Sequence, residues 1–121
     1  MKISRHFTKN LNSSYDGIVF ETRKSEIKES NGRVVFSQED VVVPSSSSQV
    51  ATDILAQKYF RRAGVPTANG ELRGENDCRQ VFHRMAGCWT DWGKRHGYFD
   101  GDDDAKLEGF STSSYSGHDI I

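Results

Sequence analysis

The chain has 121 residues, 35% hydrophobic and 27% charged, enough for one small domain with one modest core. Sixteen Lys and Arg against seventeen Asp and Glu leave a formal net charge of -1, so no overall field draws in DNA, RNA or an anionic membrane surface. No apolar run approaches the roughly 20 residues of a membrane-spanning helix, and the N-terminus MKISRHFTKN lacks the basic-then-apolar order of an export signal, so the expected compartment is cytoplasmic.

In chain order the pattern predicts an α+β arrangement: a β-hairpin over 17–43, amphipathic helices over 47–63 and 77–92, and a poorly ordered tail over 106–121. The stretch GIVFETRKSEIKESNGRVVF is rich in β-branched and aromatic residues around Asn31-Gly32, a dipeptide suited to a two-residue type I′ turn. A turn centred there sets Ser30 opposite Arg33 and Ile27 opposite Phe36, with Glu26 and Lys28 on the other side of the ribbon. Pro44 cannot donate to a ladder and ends the second strand.

Ser46 and Gln49 have the spacing of a capping box, within a run of four serines that leaves the N-cap open by a residue or two. Val50, Ala51, Ile54, Leu55 and the Lys58 stem make one apolar stripe at helical spacing. Arg61 and Arg62 suit a last turn, with Gly64 at C′ and Pro66 beyond it. TANGELRGEN reads as a short polar connection, and Asp77 with Gln80 repeats the capping-box spacing. Val81, Phe82, Met85, Ala86 and Trp89 form the apolar face of the second helix, with Trp92 just past its last full turn and Gly93 as its stop. The acidic, then Ser- and Gly-rich stretch from Asp100 has no periodicity over its last residues.

Several residue sets resemble chemical sites. Asp100, Asp102 and Asp104 alternate like the start of an EF-hand loop, but the positions that need glycine and a bidentate glutamate hold Ala105 and Ser111. Cys78, His83 and Cys88 step by five residues, about 140° around a helix each time, so with His96 they do not close on one metal ion. Cys78 and Cys88 fall about 15 Å apart along one helix, beyond the ~7 Å that a disulfide allows, and read as reduced thiols. Trp89, Trp92, Tyr98 and Phe99 read as core or interface anchors, since no basic groove accompanies them. Lys58, Arg61 and Arg62 have the charge of a phosphate site, and a solvated helix end accounts for them equally. No catalytic, cofactor-binding or metal-ligating residue is assigned on these grounds.

Two stretches taken together carry a resemblance. VVVPSSSSQVATDILAQKYFRRAGVP followed by ENDCRQVFHRMAGCWTDWGKRHGYFD is similar to the N-terminal region of the adenosylcobalamin-dependent, class II ribonucleotide reductases, over residues 1 to about 105. The resemblance implies an N-terminal segment packed against an α/β barrel that holds the active site. There a cobalamin-generated thiyl radical and a cysteine pair convert ribonucleotides to deoxyribonucleotides. Ser47 stands where the family usually has a tryptophan, and residues 106–121 do not continue its pattern. Neither Cys78 nor Cys88 matches a catalytic cysteine of the family, so no site residue is inherited. The expectation is a scaffolding portion, truncated or frameshifted near Ala105 and inactive alone, that binds neither cobalamin nor ribonucleotide by itself. Its expected partner is the barrel portion of the reductase. A second expectation is a small interaction module that binds a partner polypeptide through Val50, Ile54, Leu55, Phe82, Met85 and Trp89.

Overall fold

Two strands rich in valine and punctuated by turn residues open the computed structural model, which describes residues 15–101. The expected tail over 106–121 lies outside the described residues. Ile18–Val81 forms one compact unit, and residues 15–17 with 82–101 belong to a second.

In the first unit, β1 (Phe20–Lys28) pairs antiparallel with β2 (Val34–Pro44). The turn differs from the expected two-residue type: the Glu29 amide donates to the Arg33 carbonyl (2.8 Å) and the Gly32 amide to the Glu29 carbonyl (2.9 Å), which makes a three-residue loop. A type I′ turn needs positive φ at both central residues, and only Gly32 has it, at φ 85°. Asn31 instead uses Oδ1 to accept from the Arg33 amide at 2.9 Å. The extra loop residue shifts the pairing by one, and an irregularity between Ile27 and Lys28 shifts it back, so that Ile27 does face Phe36.

A second bulge decides what the hairpin buries. Between Arg23↔Val41 and Ser25↔Gln38, Lys24 faces both Glu39 and Asp40. Because side chains alternate with period two, the inserted residue moves the inward set of β2 from Phe36 and Gln38 to Val41 and Val43. Without it, Asp40 and Val42 would turn inward instead. Val41 and Val43 are 0% and 2% exposed.

The following helix is shorter than the expected 47–63. Its α-helical part, α1 (Gln49–Ile54), runs on as a π-helical turn, Leu55–Tyr59, and Phe60 is already extended. Ser48, not Ser46, is the N-cap, and its Oγ accepts from the Ala51 amide at 3.1 Å. Arg61 and Arg62 therefore lie beyond the helix rather than in its last turn, and Gly64 serves a later bend.

The helix also packs on a different face from the one that the apolar spacing predicts. Thr52 and Ala56 are buried, whereas Val50 and Ile54 are 67% and 49% exposed. Polar bonding to β1 sets that orientation. The Arg23 guanidinium donates to Ser47 O (2.5 Å), Ser45 O (3.0 Å) and Thr52 Oγ1 (3.0 Å); Ser25 Oγ donates to Asp53 Oδ1 (2.8 Å), and Gln57 Nε2 reaches Ser25 Oγ. Arginine is fixed as a cation with five forked donors, so it satisfies three acceptors from one position.

The polar connection contains a small hairpin, β3 (Val65–Pro66) with β4 (Leu72–Arg73). Residues 75–77 then run beside β2, where the Val42 amide donates to Asn76 O at 2.8 Å. Helix α2 (Cys78–Arg95) follows. The Asp77 amide donates to Gln80 Oε1 (2.9 Å), the reciprocal half of a capping box, while Asp77 Oδ1 accepts from the Arg79 amide (2.9 Å). Gly93 does not stop this helix. The stop is Gly97 at φ 69°, where the Gly97 amide reaches Lys94 O and the Tyr98 amide reaches Gly93 O (2.9 Å), a Schellman closure.

Arg23→Ala leaves the Ser45 and Ser47 carbonyls without their donor and is expected to lower stability by about 2 to 3 kcal/mol. Val50→Ala, on the exposed face, is expected to change it by less than about 0.5 kcal/mol. Urea unfolding followed by circular dichroism measures both.

Candidate functional site

The described chain gathers its charge where the π turn ends. The Arg61 amide donates to Glu75 Oε1 (2.7 Å) and the Glu75 amide to Arg61 O (2.8 Å), so two segments fourteen residues apart are clasped together. Gln38 Nε2 donates to Glu75 O at 3.1 Å and ties the clasp to β2. A groove of about 380 Å³ lies beside it, walled by Arg61, Arg62 and Arg73, with Phe36 and Phe60 toward its floor. The Arg62 guanidinium sits 4.5 Å from the Phe36 ring centroid, a cation–π contact, and donates to Gln57 O. Lys58, the third cation of the phosphate-like set, does not line the groove, and Arg73 takes its place. Sequence reasoning misses Arg73 because a long-range clasp brings it in, not helical spacing.

The other residues singled out in the sequence stay apart. His83 meets Tyr15 edge-on at 5.5 Å, and His96 stacks with Tyr98 at 5.9 Å. Among the described residues no three His, Cys, Asp or Glu side chains gather for a metal ion. Asp102, Asp104, Ala105 and Ser111 lie outside the described residues. Trp89, Trp92 and Tyr98 are exposed, while the Phe99 ring lies against Gly93. Leu55, Phe82 and Met85 are partly buried.

Cys78 and Cys88 differ sharply in setting. Cys78 is buried and Cys88 exposed, both as free thiols. Burial, and secondarily the Asp77 charge, push the Cys78 thiol up to about 12. A thiol with that pKa is protonated at neutral pH and is a poor radical relay or nucleophile.

The comparisons with known proteins give this arrangement its context. Residues 21–110 match the family described as class II vitamin B12-dependent ribonucleotide reductase. The chain is 41% identical over 133 residues to the vitamin B12-dependent ribonucleotide reductase of Agrobacterium fabrum, covering 87% of this chain and 10% of that protein. It is 39% identical over 134 residues to that of Bradyrhizobium diazoefficiens, covering 88% and 11%. The match to that of Rhodopirellula baltica is 38% over 87 residues, covering 72% and 8%.

The chain belongs to the class II vitamin B12-dependent ribonucleotide reductases. It corresponds to their N-terminal region and spans about a tenth of the length of these relatives. The described residues do not fit the cofactor of this reductase family: a corrin ring with its nucleotide arm exceeds a 380 Å³ groove walled by three guanidinium groups. No helix among the described residues is long and apolar enough to cross a membrane.

The contrast between the two thiols is directly measurable. With a pKa of about 12, Cys78 holds only about one part in ten thousand as thiolate at pH 8. Titration of the native reductase chain with a disulfide reagent is expected to modify Cys88 rapidly, and Cys78 only after unfolding. Fast reaction of both thiols in the native state would contradict the assignment.

Proposed function

We propose that this chain is a scaffolding and docking region of the reductase, contributing no catalytic sulfur of its own and acting only together with the remaining nine-tenths of the enzyme, in the cytoplasm. The observation that carries this reading is the side of the first helix that faces solvent. Val50 and Ile54 are exposed on α1, and the π turn brings Tyr59, 55% exposed, five residues on from Ile54. A π turn advances about one residue more per turn than an α-helix, so positions 54 and 59 share a side as 50 and 54 do.

The stripe is apolar, although a helix held on its other side by Arg23, Ser25 and Gln57 needs no apolar residue there. Contiguous exposed apolar surface rimmed by polar residues marks an interaction site. The occupant is the downstream reductase polypeptide, because relatives that match this chain are about ten times its length. Nucleotide reduction, cobalamin binding and the disulfide-forming cysteines belong in this reading to that downstream part. Cys78 is buried and protonated, and Cys88 has no second sulfur beside it on α2, so the described residues supply no dithiol.

Two measurements test the reading. The purified 121-residue chain, given adenosylcobalamin, a dithiol and a ribonucleotide, is expected to form no deoxyribonucleotide, and turnover would refute it. Supplied in trans with the downstream polypeptide, the chain is expected to co-purify as a defined complex. Ile54→Asp should weaken that complex at least tenfold, about 1.4 kcal/mol, with little change in the melting temperature of the free chain. An unaltered complex would remove the helix stripe from the interface.

A further inference from the structure

We propose that the groove between β2 and the Arg61–Glu75 clasp is an anion site that takes the phosphoryl group of a small phosphorylated molecule. The inference rests on this groove alone and is independent of the docking role of the helix.

Three observations carry it. First, Arg61, Arg62 and Arg73 converge on one concavity from segments that nothing in local sequence places together. Gathering three like charges costs electrostatic free energy unless a counter-charge offsets it. The wall supplies little: Glu75 is 3% exposed and directs its carboxylate to the Arg61 amide, which leaves Asp40 as the acidic side chain facing outward there. Arg73 is held by Glu71 at 3.1 Å, and Arg62 lies on Phe36, but among the described residues no partner holds the Arg61 guanidinium.

Second, the cations are held in place by the backbone. The clasp is closed by two hydrogen bonds, and Gly74 lies so near the Arg62 carbonyl that a Cβ there would come within 2.6 Å of its oxygen. The positions that carry Arg61, Arg62 and Arg73 are thus fixed before any ligand arrives, as preorganised binding requires.

Third, the remaining lining suits a phosphorylated molecule. Ser37, Gln38 and Asn76 add neutral hydrogen-bonding groups, and the guanidinium stacked on Phe36 offers a second flat face to a planar ring. Guanidinium forks match phosphate oxygens two at a time. The volume of about 380 Å³ lies near the lower end of the roughly 300–1,000 Å³ typical of small-molecule sites.

The test is isothermal titration of the full chain at low salt with inorganic pyrophosphate in one arm and a nucleoside diphosphate in the other. Saturable one-to-one binding is expected in at least one arm. Equal affinities would assign recognition to the phosphates alone, and tighter binding of the nucleoside diphosphate would add the ring to what is read. Arg61→Gln and Arg73→Gln should each weaken binding at least several-fold and together more than tenfold. Asp40→Asn should tighten it by removing a like charge from the rim, and Lys58→Gln, outside the groove, should leave it within twofold. Circular dichroism melting checks that each variant stays folded. Absence of saturable binding in both arms, or binding that follows Lys58 rather than Arg61 and Arg73, overturns the proposal.

Discussion

The guanidinium of Arg23 joins a strand, a turn and a helix in one place. From β1 it donates to the carbonyls of Ser45 and Ser47, which the chain leaves without ladder partners after Pro44, and to the Thr52 hydroxyl one turn into α1. Buried backbone acceptors need donors, and a fixed cation supplies them without depending on pH. Thr52 in turn donates to the Ser48 carbonyl at 3.0 Å, so the N-cap and its first buried side chain belong to the same network. The rotation of the helix about its axis follows from these bonds, and so does the exposure of Val50 and Ile54.

The bulge opposite Lys24 is the second constraint. It resolves a conflict written into β2, where Glu39-Asp40 interrupts an otherwise apolar strand between Phe36 and Val43. One extra residue lets both acids face solvent and lets Val41 and Val43 face inward. Lys24 lies between them and Glu26, within 3.6 Å of Glu39 and 2.7 Å of Glu26. The hydrogen bond from Lys24, and then that from Lys28, hold the Glu26 carboxyl below the usual carboxylate range. These pairs are solvent-facing and contribute mainly to register, since exposed ion pairs stabilise weakly.

What was legible in the sequence was local. The hairpin, the facing of Ile27 and Phe36, and the Gln80 cap of α2 rest on cues within a few residues of one another. The packed face of the first helix was not legible, because apolar spacing assumes that burial is apolar, whereas Thr52, Asp53 and Gln57 meet Ser25 and Arg23 through hydrogen bonds. The groove was half legible: Arg61 and Arg62 stood out as charge, but Arg73 and Glu75 join them through pairings far apart in the chain. The family was legible because long stretches on either side of the connection match it in order, and its catalytic apparatus has no counterpart among the described residues.

The π turn at Leu55–Tyr59 bears on how such a chain tolerates change in length. A π turn is equivalent to an α-helix holding one surplus residue. Deleting a single residue there would rewind the segment into ordinary helix and swing everything after it by about 100° around the axis. Phe60 would leave the interior, and the Arg61 amide would turn from the Glu75 carboxylate. Insertions and deletions are therefore tolerable in the Thr67–Gly70 loop but not here, where chain length itself is part of the geometry.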